Sequence, residues 1–189
     1  MFKKKAILVL IILFFFFENT SLFANIKLNI VQNYNNIDTL EFNFVQIAFD
    51  KKETGICFLK RPHFLNCQYN NKNKKELIVN RKNLVIYHKR YNKTYFYPVS
   101  KSFFTDILNK EKFKNLVLNA NLNLNNEVFE IKHVEQNKGE IIFFFDKKSF
   151  DLSGWKITDL NGNHTLFKIN NLKKNQNLDK KLFYIPQIN

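Results

Sequence analysis

The side chains equipped for chemistry are few, and their spacing builds no reactive group. His63, His88, His133 and His164 show neither an i, i+4 helical pair nor a Cys–His spacing, so they read as solvated loop histidines rather than metal ligands. The carboxylate pairs Glu127/Glu130 and Asp151/Asp159 lie on segments already rich in charge, where a solvated face is the simpler reading than an acid/base dyad. No Gly-x-Ser-x-Gly elbow, His-Glu-x-x-His or Cys-x-x-Cys occurs. The four glycines, Gly55, Gly139, Gly154 and Gly162, stand too far apart to cradle a phosphate. The chain reads as a non-enzyme without metal or cofactor.

What the sequence does supply is grease and positive charge. Of 189 residues 45% are hydrophobic, 22 of them Phe, and 30 Lys+Arg against 16 Asp+Glu give a formal charge of +14. Such a length suits one compact domain. Lys3-Lys4-Lys5, an apolar run from Ala6 to Phe17, a polar stretch and Leu22-Phe23-Ala24 make a secretory signal peptide over 1–24, cleaved after Ala24. The run is short for a bilayer-crossing helix, which needs roughly twenty residues. Cleavage removes Lys3, Lys4, Lys5 and Glu18 and leaves 14 − 3 + 1 = +12 on a soluble domain, 25–189. Export fits nucleic acid badly as a partner. A membrane surface or an acidic protein fits it, as does plain coding bias toward Lys and Asn, since the lysines are scattered.

The elements that must position these residues are mostly strands. Ile26, Ile30, Tyr34 and Ile37 share one face of a short helix that opens the mature chain. The period then drops to two: Leu40, Phe42, Phe44 and Gln46 form one row of an extended segment. Strand signals follow at 55–60, 64–69, 76–80, 84–88 and 93–97, and resume at 128–134, 140–146, 152–159 and 165–170. Spacing this close means antiparallel neighbours. Between the two groups, Phe103, Phe104, Ile107 and Leu108 return to helical spacing, with Phe113, Leu116 and Val117 on a second short helix. Asn161-Gly162 reads as a two-residue hairpin turn. The fold expected is mainly β (α+β): an incomplete antiparallel β-barrel of about ten or eleven strands under a lid of short helices.

A bent sheet points alternate residues of every strand into its concave face. Its phenylalanines are then either plain core or the wall of an apolar cavity, and helices this short cover a wide sheet thinly.

An ordered set of short motifs resembles the LolA family of periplasmic lipoprotein carriers. It comprises Leu40-Glu41-Phe42-Asn43-Phe44-Val45-Gln46, Gly55-Ile56-Cys57-Phe58-Leu59-Lys60-Arg61-Pro62, the Leu77–Tyr87 hairpin, Gly139–Asp146, Leu152–Asp159 and the closing Leu182-Phe183. The resemblance implies a carrier in the periplasm that holds the acyl chains of lipoproteins and moves them from the inner to the outer membrane. Three acyl chains hold roughly forty methylenes, on the order of 30 kcal/mol against exposure to water. The partners it implies are triacylated lipoproteins, an inner-membrane lipoprotein-releasing ABC transporter complex and an outer-membrane lipoprotein acceptor, with the carrier itself a monomer. The alternative is an envelope sensor or lipid- or protein-binding module of the same half-barrel that shuttles nothing.

The resemblance also assigns residues. Phe42, Phe44, Leu59, Leu65, Tyr69, Trp155 and Ile157 would line the lipid cavity, and Ile26, Ile30, Phe103, Phe104, Ile107 and Leu108 would form the lid. Arg61 corresponds to the family's arginine that hydrogen-bonds lid carbonyls, a task suited to its five fixed donors. Cys67 stands where relatives have Trp, and Asn80-Arg81 where they turn on Asp-Gly. Cys57 and Cys67 flank the Arg61-Pro62 turn in an oxidising compartment, as either a cross-strand disulfide or two buried thiols.

Overall fold

A computed structural model describes residues 22–186. The apolar run at 6–17 lies outside them. Residues 22–35 are helical (α1), so residues 22–24, just before the expected cleavage point, belong to its first described turn. Eleven strands follow: β1 Thr39–Ala48, β2 Lys51–Lys60, β3 Phe64–Tyr69, β4 Lys75–Asn80, β5 Asn83–His88 and β6 Lys93–Pro98, then β7 Asn121–Leu124, β8 Val128–Glu135, β9 Gly139–Asp146, β10 Leu152–Thr158 and β11 His164–Lys174. Helices α2 (Phe104–Leu108) and α3 (Lys110–Asn119) separate the two groups. Among the described residues no helix is long and apolar enough to cross a membrane.

All eleven strands form one antiparallel sheet in the order β6-β5-β4-β3-β2-β1-β11-β10-β9-β8-β7. β1 and β11 pair at its centre, and β6 and β7 remain as edges, so the sheet is an open, incomplete barrel. The row Leu40, Phe42, Phe44 of β1 is buried while Asn43 is exposed, which is the alternation expected when one face is covered. Register carries this row across the sheet: Phe42 lies opposite Cys57, which lies opposite Cys67, which lies opposite Leu77. On the other side Phe167, Trp155, Phe143 and Ile131 continue it. Gly55 lets the row pack, since a Cβ there would fall 2.1 Å from the Gln68 carbonyl oxygen and 2.7 Å from the Phe44 ring.

The concave face meets α1, α2 and α3, and one continuous core joins them. It contains Ile26, Ile30 and Tyr34 from α1, Phe103, Ile107 and Leu108 around α2, and Phe113 from α3. Asn109 caps α3 by accepting from the Lys112 amide at 3.0 Å. On the convex face the C-terminal segment is strapped down where the Nδ2 groups of Asn66 and Asn80 donate to the carbonyls of Leu182 and Phe183.

The short strand β7 has the alternation Asn121-Leu122-Asn123-Leu124, only four residues long and not among the strands expected, and it pairs with the edge of β8. Two local expectations are corrected. The β10–β11 turn is a five-residue loop rather than a two-residue one. Asp159 Oδ1 accepts from the amides of Asn161 and Asn163, which holds the chain in a wider curve. His88, His133 and His164 lie on strands rather than in loops, leaving only His63 in a turn.

Candidate lipid-binding site

Antiparallel alternation gives the half-barrel two ends, and the sequence closes one of them. At the closed end the β2–β3 turn carries Arg61, whose peptide to Pro62 is cis. Its Nη1 donates to the carbonyls of Tyr34 (2.6 Å) and Ile37 (3.1 Å), the last residues of α1 and its exit. The guanidinium also stacks on the Tyr34 ring, 3.4 Å from its centre. Arg61 is 8% exposed, and burial lowers its pKa from the ordinary value while Tyr34 and Asp38 oppose that. Among the described residues its Nε and Nη2 have no hydrogen-bond partner. Tyr34 extends the clasp, because its hydroxyl donates to the Ile107 carbonyl of α2 at 2.8 Å.

Further polar links bind the lid helices to one another. Lys27 of α1 donates to the carbonyls of Leu118 and Ala120 at the end of α3. Lys110 of α3 donates to Asn35 and pairs with Asp38. A second fastening to the barrel lies at the far end of α2, where Lys138 of the β8–β9 turn pairs with Asp106 at 2.7 Å and with Glu135 at 2.9 Å. Burial alone would depress the Lys138 pKa, but the hydrogen bonds and charges of Asp106 and Glu135 outweigh it and hold the amine above its usual value. Asp106 and Lys138 carry no sequence signal of this role: the pair joins residues 32 apart across a lid and a turn. Tyr34 showed only as one member of an apolar stripe.

Beneath the lid lie two spaces, and Phe104 and Trp155 border both. The inner one is a remnant of about 10 Å³ walled by Phe42, Leu59, Leu65, Ile107, Leu108 and Trp155 among others, all apolar. The outer one is a cleft of about 260 Å³ that opens at the other end of the half-barrel. Tyr69, Trp155 and Ile157 line it, with Gln46, Lys75 and Thr165 at its polar edge. Tyr69 donates its hydroxyl to Gln46 Oε1 at 2.7 Å, and burial pushes its pKa up.

Of the residues expected to line the cavity, Phe44 borders neither space, being packed against Phe167 and Tyr69. Of those expected in the lid, Phe104, Ile107 and Leu108 border the inner space. Ile26, Ile30 and Phe103 are buried in the core around it. Cys57 and Cys67, directly opposite on β2 and β3, are joined in a disulfide behind the cleft. The arrangement has an apolar depth, a polar entrance and a polar-clasped lid. Chemically it suits an amphiphile held tail-first.

The family model described as outer membrane lipoprotein carrier protein LolA matches residues 35–186. No curated protein matches the chain. Among solved structures, an uncharacterized conserved protein from Thermus thermophilus is 10% identical with a TM-score of 0.54, covering 86% of this chain and 93% of that one. A DUF1329 family protein from Desulfovibrio piger is 9% identical with a TM-score of 0.50, covering 87% and 96%. The MucA/MucB complex structure from Pseudomonas aeruginosa is 10% identical with a TM-score of 0.50 over 87% of this chain and 61% of that one. At such identities these likenesses show the fold alone.

Proposed function

The chain belongs to the LolA family of outer membrane lipoprotein carrier proteins, and from that premise we propose that it carries the acyl chains of lipoproteins through the periplasm, from an inner-membrane ABC releasing complex to an outer-membrane acceptor, after cleavage of residues 1–24. The observation that carries this reading is the division of the interior at Phe104 and Trp155. A wholly apolar pocket is shut down to about 10 Å³, and a cleft of about 260 Å³ stands open beside it. Drug-sized ligands alone occupy pockets of roughly 300–1,000 Å³. Three acyl chains therefore enter only if α2 and its neighbours lift from the closed conformation described.

In this mechanism closure and cargo compete. Cargo gains apolar burial, and the lid loses the Arg61, Tyr34 and Lys138 clasps as it opens. The strength of those clasps subtracts from cargo affinity, so the carrier can surrender its load without hydrolysing a nucleotide. The protein binds rather than catalyses.

The test is transfer. Envelope-purified protein loaded with a triacylated lipoprotein should pass it to acceptor membranes or to an acceptor protein. A half-barrel module that only senses or sequesters would take up the lipoprotein and keep it, and that result would refute the shuttle.

A further inference from the structure

Five turns, β1–β2, β3–β4, β5–β6, β8–β9 and β10–β11, crowd the end of the half-barrel at which the cleft opens. Three of them hold up a large apolar side chain: Phe49 is 72% exposed, Leu160 66% and Tyr91 54%. Phe49 and Asp50 are the central pair of the β1–β2 hairpin, with φ of 49° and 58°. A turn with both φ positive favours Asn-Gly, and a bulky ring in the left-handed region is costly to the backbone. Phe49 therefore adds neither burial nor turn stability to the fold, the pattern that points to a role outside it. Leu160 is also held in place, since both Asp159 carboxylate oxygens tie down the loop that presents it.

Charge surrounds these tips. Lys51, Lys52, Lys72, Lys89, Arg90 and Lys93 are exposed on the same rim, and none is in an ion pair among the described residues. The rim acids are largely spent: Glu53 faces Lys75, Glu135 faces Lys138, and Asp159 serves its own loop, leaving Asp50 and the half-buried Glu76. From Leu77 to Thr105 the chain contains no acidic residue at all.

We infer that this rim docks on an anionic phospholipid surface, with Phe49, Leu160 and Tyr91 entering the headgroup region and the cations bound to lipid phosphates. Apolar tips interleaved with Lys and Arg are the chemistry of an interfacial anchor, and each cation near an anionic leaflet strengthens attachment. Docking in this pose turns the cleft mouth toward the bilayer. It is a property of the cargo-free protein and does not depend on what the cleft carries.

The test uses protein recovered from the cell envelope, without cargo, in which Trp155→Phe removes the native indole and each of three variants then carries one Trp: Phe49→Trp, Leu160→Trp, and, at the opposite end, Tyr184→Trp, a site 65% exposed. Vesicles of brominated phosphatidylglycerol with phosphatidylethanolamine should quench Trp at 49 and 160 and leave Trp at 184 bright, while brominated phosphatidylcholine vesicles do little. Phe49→Asn should weaken vesicle binding about tenfold and at the same time raise the thermal midpoint, because Asn tolerates the left-handed conformation. These opposite signs separate docking from misfolding. Equal quenching at 184, unchanged binding in Phe49→Asn, or a rim that ignores vesicles and pairs only with another protein would each overturn the inference.

Discussion

The guanidinium of Arg61 lies 3.4 Å from the centre of the Tyr34 ring, and its Nη1 donates to that residue's own carbonyl at 2.6 Å. One barrel side chain thus grips a lid residue by both ring and backbone. Tyr34 passes the grip onward through its hydroxyl to Ile107 of α2. A hydrogen bond from a charged donor contributes about 1.5–3 kcal/mol. The two unpartnered Arg61 donors offset part of that, so the clasp is strong enough to shut the lid and weak enough to be lifted.

Arg61→Leu removes both bonds to the exit of α1 and weakens the closed state. Cargo then has less to compete with. Loading of a fluorescent acyl probe or a lipoprotein should persist, and release to acceptor membranes should slow about tenfold or more. Arg61→Lys, without the planar fork, should fall between. A release assay in which Arg61→Leu matches the native protein would remove Arg61 from the mechanism.

Tyr34→Phe deletes only the hydroxyl that reaches Ile107 and leaves the ring for Arg61 and Phe113 to pack on. The cost should be about 1 kcal/mol, concentrated in the lid. Hydrogen exchange should quicken at 104–108 with little change in the central strands β1 and β11. Uniform quickening across the sheet would mean that the hydroxyl supports the whole fold rather than the lid.

The sheet was largely legible in the sequence, because one covered face forces alternation, and rows such as Leu40, Phe42, Phe44 survive in a single strand. The stripes of α1, α2 and α3 were legible for the same reason. The lid fastenings were not. Lys138 with Asp106 and Lys27 with Leu118 and Ala120 join residues far apart in the chain, with no local pattern to announce them. Cys57 and Cys67 left bridge and thiols open, because the choice depends on register, and register places them directly opposite. The exposure of Phe49 has no sequence signal either. In the sequence it ends a run of strand formers, and only the backbone shows it perched on a turn.

The Cys57–Cys67 disulfide closes a loop of sequence separation 10. In the chain-entropy account such a loop contributes about 2–3 kcal/mol by restricting the unfolded chain. Cys57→Ala/Cys67→Ala should lower the urea midpoint accordingly and leave the m-value nearly unchanged. Reductant should lower the native midpoint to that of the double variant and do nothing further to the variant itself.

Three groups hold their protons more tightly in the folded protein than in the unfolded chain: the buried Tyr34 and Tyr69, raised from 10.0 by burial, and the half-buried Lys138, where Asp106 and Glu135 overcome the opposing effect of burial to raise it from 10.5. The folded state therefore binds more protons above pH 10, and stability falls as pH rises there. Below pH 10 their contribution is fully present. Thermal midpoints should drop through the alkaline range, and Tyr69→Phe should flatten the decline. A decline equally steep in that variant would assign it to other groups.

Phe104 is half-buried and stands between the inner pocket and the open cleft. Truncation to Ala should join the two spaces into one apolar chamber. The lost burial and the new void destabilise, by roughly 2 kcal/mol for a side chain only partly covered. An apolar ligand would recover that loss by filling the void, so the same variant should bind an acyl probe more tightly, and saturating probe should restore its thermal midpoint toward the native value. If Phe104 were simply core, the variant would lose stability and gain no affinity. Tighter binding together with slower release would instead show that this ring, pushed aside by cargo, helps return the lid to its closed state.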